Sequence, residues 1–410
     1  MDRNDSLRPS GGATTIAFCE NGAGYGGAII SLEAMLEQLR ADADPRFTPV
    51  LYTGLDTEPY RRLARFGLWR HMPARPLVDR AALARRRVPF ASHIENLANV
   101  LPYALRHARA FRKDGVRLVY LNNDATTNFA AALGARLAGI PAVLHARGFH
   151  SVTRVDRAVL SWIRHCMPVS NAVRDSLLKV GIAPARCTVV PEGLDLPQFA
   201  QRATCAPLPA LRAELGLGPD DPVITLVGGL IDWKGQDVLL DAAPRVLARY
   251  PNARFLLVGD AYGRDNRFAR ILAERIATPE LAGRAMLLGG RRDVPDLLAL
   301  SSVVVHASTS PEPFGRTFLE GMAAGRPVIA AAEGGPPDVI DHERDGLLVP
   351  PRDPQLLAEA ILRILDHPQW AQDMARQGAA TAQRYSIQNH TAAVTAILQR
   401  LIQEPHRAPH

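Results

Sequence analysis

Short apolar runs rich in valine, isoleucine and leucine alternate along this chain with longer stretches of helical periodicity. Apolar residues recurring every three or four positions mark a helix face, and short β-branched runs bounded by turn residues mark strands. On that reading Thr14–Cys19, Thr48–Tyr52, Arg117–Leu121, Ala142–His145, Pro168–Ser170 and Thr188–Val190 are predicted strands. Helices are predicted between them at Ala28–Arg40, His93–Lys113, Asn128–Ala138, Arg154–Arg164 and Ala172–Val180. Strands separated by helices of this length form right-handed βαβ units and a parallel sheet.

The pattern breaks from Asp195 to Pro222, where Pro197, Pro207, Pro209, Pro219 and Pro222 fall with no strand pattern. It then restarts. Val223–Val227, Arg254–Val258, Met286–Leu288, Val303–His306 and Val328–Ala331 are predicted strands. Gln236–Tyr250, Arg267–Ala277, Val294–Ser301, Thr317–Ala324 and Pro354–Leu365 are predicted helices, and Gln369 to Gln403 is helical without strands. The expected architecture is α/β, with two Rossmann-like parallel-sheet domains facing a cleft and a helical segment at the C-terminal end. Residues 1–12 are expected to be a disordered tail, 13–195 an N-terminal acceptor domain and 196–221 a linker. Residues 222–385 are expected to form a donor domain, and 386–410 a helix and tail crossing back to the N-terminal domain.

The bulk properties agree with this picture. The chain has 410 residues, 47% apolar, too many for one ordinary domain and too apolar for disorder. No run of 18 or more apolar residues predicts a membrane helix, and the polar stretch Met1 to Gly12 lacks the apolar centre of a signal peptide. Cys19, Cys166, Cys187 and Cys205 form no C-x-x-C pair, so neither a zinc site nor a disulfide framework is indicated. A cytoplasmic setting is expected. The net charge of +7 is uneven: thirteen arginines and Lys113 between Arg61 and Arg117 face only Asp79, Glu95 and Asp114 there. Such an excess suits an anionic membrane surface, a lipid-pyrophosphate acceptor or nucleic acid. It equally suits a solvated arginine-rich face in a chain with three lysines.

Candidate chemistry lies at predicted strand ends, where ligands bind in open α/β sheets. Val223–Val227 runs into Gly228-Gly229-Leu230-Ile231-Asp232-Trp233-Lys234-Gly235 and then a helix. Backbone N–H groups at a helix start favour a diphosphate, and the ammonium adds a full charge; a tight turn with a solvent lysine reads the same way. Val303–His306 leads to Ser308-Thr309-Ser310-Pro311-Glu312-Pro313-Phe314-Gly315-Arg316-Thr317-Phe318-Leu319-Glu320. Glu312 and Glu320 stand eight positions apart, so an early helix start puts both on one side. A carboxylate accepts two donors at once and so grips vicinal sugar hydroxyls. A third loop, Glu20-Asn21-Gly22-Ala23-Gly24-Tyr25-Gly26-Gly27, holds a literal G-x-G-x-x-G, but the second strand is not followed at once by a ribose-binding acid.

These residues resemble the retaining glycosyltransferases of the two-domain B fold, family four. The resemblance is carried by Lys234-Gly235, by the E-x7-E pair Glu312 and Glu320 around Phe314-Gly315, and by Gly334-Gly335-Pro336-Pro337-Asp338. Val169-Ser170-Asn171-Ala172 and Val190-Pro191-Glu192-Gly193-Leu194-Asp195 also match, and the likeness covers most of residues 14–400. It implies transfer of a hexosyl-type sugar from a UDP or GDP donor to a glycan or lipid-linked acceptor, with retention, in polysaccharide, lipopolysaccharide or glycolipid synthesis. It implies no metal, no other cofactor and no nucleic acid. Glu312 would contact the donor sugar with the N–H groups of Phe314 and Gly315, Glu320 the ribose, and Lys234 the diphosphate beside Gly228. His145, in preference to His150, would sit near the sugar, and Gly26 and Gly27 would approach donor phosphates and acceptor. The family's usual arginine in the glycine turn is Gly229 here, with Arg316 a candidate substitute. A sugar-nucleotide epimerase or hydrolase of the same fold, a non-catalytic glycan-binding homologue and an NAD-dependent oxidoreductase are the alternatives.

Overall fold

A computed structural model describes residues 13–21, 26–41, 46–74, 91–151, 153–203, 208–261 and 266–404. The expected tail, Gly22 and Gly24, Arg75 and Arg80, Arg85 to Arg87, and Cys205 lie outside the described residues.

Two six-stranded sheets form, and every strand pair is parallel. The first contains β1 (Thr14–Glu20), β2 (Phe47–Thr53), β3 (Leu68–His71), β4 (Leu118–Asn123), β5 (Ala142–Ala146) and β6 (Ile163–Pro168), ordered β3-β2-β1-β4-β5-β6. The second contains β7 (Val223–Val227), β8 (Arg254–Val258), β9 (Ala285–Gly289), β10 (Val303–His306), β11 (Val328–Ala331) and β12 (Leu347–Val349), ordered β12-β11-β10-β7-β8-β9. Both are the same doubly wound order, and in each the winding reverses between the first and fourth strands. By its contacts the chain divides into one unit running to Pro191 and resuming at His390, and a second unit, Glu192–Asn389.

The second sheet shows why its strands read as unbroken apolar runs. Ile224, Leu226, Phe255, Leu257, Val303 and Val305 pack into one core cluster, while Val223, Leu256 and Val258 pack into another. Alternate residues serve opposite faces, and both faces are covered, so no position along the strand has to be polar.

The structure departs from expectation in a few places. The predicted helix through Arg164 stops at Trp162, and the strand follows at Ile163–Pro168 rather than Pro168–Ser170. Ser170 instead caps the helix Asn171–Val180, its hydroxyl accepting the Val173 N–H at 3.2 Å. Thr188–Val190 is not a strand; beyond β6 there is only an isolated parallel bridge between Cys166 and Cys187. β3 and β12 are short edge strands, too brief to announce themselves by alternation. The proline-rich stretch holds two helices, Leu196–Ala203 and Leu208–Glu214. Among the described residues no helix is long and apolar enough to cross a membrane.

Candidate active site in the second unit

Three strand-end loops converge where the second sheet changes direction. After β7, the turn Gly228-Gly229 is held from beneath by Gln236, a buried residue whose Nε2 donates to the carbonyls of Gly229 (2.9 Å) and Gly228 (3.3 Å). A one-turn helix, Asp232–Lys234, follows, and then Gly235 opens the helix Gln236–Arg249. Gly235 has φ of +74°, and a Cβ there would stand 1.9 Å from the Ala307 carbonyl oxygen, so only glycine lets the turn lie against the segment beyond β10. The Thr309 N–H donates to the Trp233 carbonyl at 2.8 Å and ties the two loops together.

The loop after β10 delivers Glu312 to Lys234. The ammonium lies 2.7 Å from Glu312 Oε2 and 4.1 Å from the centre of the Trp233 ring. Ser308 Oγ donates to the same Oε2 at 3.0 Å, and His306 Nε2 lies 3.3 Å from it. Burial alone would raise the Glu312 carboxyl, but the His306 hydrogen bond and the Lys234 charge outweigh it and hold the group at about 2. Glu312 is therefore a carboxylate at any ordinary pH. From β11 comes the third loop. Gly334 bridges to Glu312, and the Gly335 N–H donates to the Glu312 carbonyl at 2.8 Å. Gly334 has φ of +81°, and a Cβ would come within 2.1 Å of that carbonyl oxygen.

Gly315 begins the helix Arg316–Ala323, and Phe314, buried, packs beside Phe318 and Tyr385. Arg316 Nη2 faces Glu320 Oε1 at 3.7 Å on this helix. Burial raises the Glu320 carboxyl and Arg316 opposes it. The two glutamates thus sit in different settings, one clamped by a lysine and one beside an arginine. His306 and Ser308, which the sequence reading left out, complete the cluster; the signal was their place at the end of an apolar strand just ahead of Glu312.

In the first unit, Gly26 precedes the helix Gly27–Ala41, and a Cβ at Gly26 would meet nothing within 4 Å. His145 is at the end of β5 but wholly buried. Its Nδ1 meets the Tyr120 hydroxyl, and its ring stacks on His390 with centroids 5.3 Å apart. Burial, then the Arg147 charge, push its pKa well below the usual histidine value, so the ring is neutral. His150, also buried, has two ring nitrogens without a hydrogen-bond partner among the described residues. Beside them lies a polar group that sequence reasoning missed. Asn122 donates to Glu20 Oε2, and Arg147 Nε donates to Asn122 Oδ1 at 3.0 Å, where β1 and β4 part.

Part of the arginine excess is paired on folding. Arg61 pairs with Asp56, Arg62 with Glu33 and Glu58, Arg65 with Glu33 and Glu37, and Arg70 with Asp114. All of these acids but Asp114 lie outside the window that showed the excess. Arg109, Lys113 and Arg117 remain exposed, with no ion pair among the described residues.

Residues 33–198 match the model of Glycosyltransferase Family 4, and residues 221–367 that of Glycosyl transferases group 1. The chain belongs to glycosyltransferase family 4. The D-inositol 3-phosphate glycosyltransferase of Saccharomonospora viridis is 28% identical over 84% of this chain and 82% of its own length. The corresponding Segniliparus rotundus protein is 34% identical over 50% of this chain but only 44% of its own length. The α-D-kanosaminyltransferase of Streptomyces kanamyceticus is 27% identical over 70% of this chain and 78% of its own length. Among solved structures, Anabaena HepE in complex with UDP-glucose is similar with a TM-score of 0.78 at 24% identity, covering 94% of this chain and 99% of that one. A Rickettsia africae glycosyltransferase reaches a TM-score of 0.82 at 21% identity, over 96% and 100%. This family 4 chain therefore has the GT-B fold.

Proposed function

We propose that this family 4 protein transfers a sugar from a nucleoside-diphosphate sugar to an acceptor hydroxyl, with retention of anomeric configuration. The observation that carries the reading is the Lys234, Glu312, Ser308 and His306 cluster at the point where the second sheet reverses its winding. Lys234 neutralises charge developing on the leaving diphosphate, and the N–H groups of the Gly228-Gly229 turn add to it. Glu312, held ionised, accepts hydrogen bonds from donor-sugar hydroxyls, with Phe314 and Gly315 N–H groups beside it; Glu320 takes the ribose. Charge neutralisation is assigned to Lys234 rather than to a metal. The acceptor, a glycan, a lipid-linked saccharide or a smaller polyol, is assigned to the first unit, with Gly26 and Gly27 at its loop. His145 remains the proposed histidine there, acting as a neutral group. HepE, solved with UDP-glucose, supports a nucleotide-sugar donor, and the curated relatives, a D-inositol 3-phosphate glycosyltransferase and an α-D-kanosaminyltransferase, support glycosyl transfer.

The test is donor consumption over a panel of UDP and GDP sugars, with and without glycan and polyol acceptors. Glu312→Gln and Lys234→Ala should each lower turnover about 100-fold or more, since removing one preorganised group at developing charge costs roughly 3 kcal/mol. Near wild-type turnover in both variants would refute the site.

A further inference from the structure

We infer that His306 is a positioning residue, one that commits a single oxygen of Glu312 to the protein and leaves the other for the donor. This rests on the reading that Glu312 meets the donor sugar. A carboxylate has two oxygens, each with about two acceptor sites. Lys234 Nζ, Ser308 Oγ and His306 Nε2 all approach Oε2, at 2.7, 3.0 and 3.3 Å. Three donors fill that oxygen, so Oε1 is the one that a sugar hydroxyl can use.

His306 is the most fixed of the three. It ends β10, its side chain is almost wholly buried, and its ring stands edge-on to Phe318 with centroids 5.7 Å apart. Lys234 is on a turn, and a diphosphate would compete for its ammonium; His306 and Ser308 have no such rival. Gly315 keeps the approach open. A Cβ there would lie 3.1 Å from His306 Nε2 and closer still to Phe318, so any side chain at 315 would push on the ring. To donate to Glu312, Nε2 must carry a proton. Nδ1 is buried and has no hydrogen-bond partner among the described residues, so no contact there competes with donation from Nε2.

Two variants separate donation from packing. His306→Phe keeps the ring against Phe318 and removes the donor. His306→Gln carries an amide N–H close to where imidazole Nε2 stands. The probes are UDP and UDP-glucose in titration calorimetry, replaced by the GDP pair if the wild-type chain binds that instead, with turnover of the same donor. His306→Phe should weaken the nucleotide sugar, or lower its kcat/KM, by about 10-fold or more, as expected for a lost hydrogen bond to a charged group. Its affinity for the nucleoside diphosphate, which lacks the transferred sugar, should stay within about twofold by the same reasoning. His306→Gln should recover most of the loss. Equal impairment of Phe and Gln, equal loss of diphosphate and nucleotide sugar, or wild-type behaviour of the Phe variant would each overturn the inference. Imidazole 15N shifts of the wild-type chain supply a check that needs no variant. They should show Nε2 protonated, and an Nδ1–H tautomer would overturn it. If the wild-type chain binds no nucleotide or nucleotide sugar at all, the donor reading itself fails; a wild-type chain that binds while the variants do not discriminate fails only His306.

Discussion

Replacing Lys234 by methionine keeps the length of the side chain and deletes the ammonium from the Glu312 carboxylate. The two groups lie 2.7 Å apart, with side-chain exposures of 21% and 11%, so the pair is largely out of water. Hydrogen bonds to charged groups contribute about 1.5–3 kcal/mol, and removing one partner leaves the other buried and uncompensated. The depressed carboxyl of Glu312 gives a second figure. The Glu312 carboxyl is held at about 2 against a usual 4.5, a gap equivalent to about 3 kcal/mol that remains after its partners have offset the cost of burial. Because the folded-state pKa is depressed, this stabilisation is present in full above 4.5 and is lost as pH falls from 4.5 towards 2. Part of it belongs to His306, so we expect a Lys234–Glu312 coupling of about 2 kcal/mol. The assay is hydrogen exchange of the β7 and β10 amides in wild type, Lys234→Met, Glu312→Gln and the double variant. Local readout avoids assuming that two units unfold as one. In Lys234→Met the folded-state carboxyl moves up towards 4.5, so the acid loss should be smaller and should be complete at a higher pH, and in Glu312→Gln the profile should flatten over that range. Additivity of the two changes within about 0.5 kcal/mol at neutral pH would refute the coupling.

Gly334→Ala should impair turnover and lower Tm, because its left-handed φ and the 2.1 Å approach to the Glu312 carbonyl both oppose a Cβ, the first alone costing about 1–2 kcal/mol. Gly139→Ala, with φ of +73° but open space around it, should lower Tm by the backbone strain and leave turnover unchanged; parallel loss of activity in both would remove the site-specific claim. Vesicle binding through the first unit, if it occurs, should be weak and salt-sensitive, with anionic lipid required, since each cation near the surface adds about 1 kcal/mol and is screened within a Debye length. Changing Arg109, Lys113 and Arg117 together to Gln should abolish it, and equal sedimentation with zwitterionic vesicles would exclude an electrostatic surface.

The second sheet was legible because its signals were local. Val223–Val227, Arg254–Val258, Val303–His306 and Val328–Ala331 occur where the apolar runs put them. A strand buried on both faces writes itself as a continuous run, and the following glycine and proline turns end it. Glu312 and Lys234 were visible for the same reason, as polar residues just past strand ends. Their mutual pairing was not, because it joins positions 78 apart through two loops that only the β7–β10 neighbourhood brings together. The arginine window was only partly legible for the same reason. Counting charges along the chain found few acids near Arg61, Arg62 and Arg65, yet Glu33 and Glu37 come from the preceding helix Gly27–Ala41. The edge strands went unpredicted and Thr188–Val190 was read as a strand because a single bridge or a three-residue ladder leaves no periodicity to read.

The pairing of Lys234 with Glu312 also bears on how the site is prepared. A carboxylate meant for sugar hydroxyls must be ionised and fixed before the donor arrives, or reorganising it becomes part of the barrier. Burial works against ionisation, and Lys234 is one of the groups that reverse it. In the proposed reaction the same ammonium is wanted by the diphosphate. If Glu312 depended on Lys234 alone, each recruitment of the lysine would leave a buried charge with no partner. His306 and Ser308 on the same oxygen remove that conflict, because they hold the carboxylate while the lysine turns to the leaving group. Gly229, where the family resemblance leads one to expect an arginine, makes the arrangement more consequential: with one lysine for the diphosphate, the clamp on Glu312 has to stand without it.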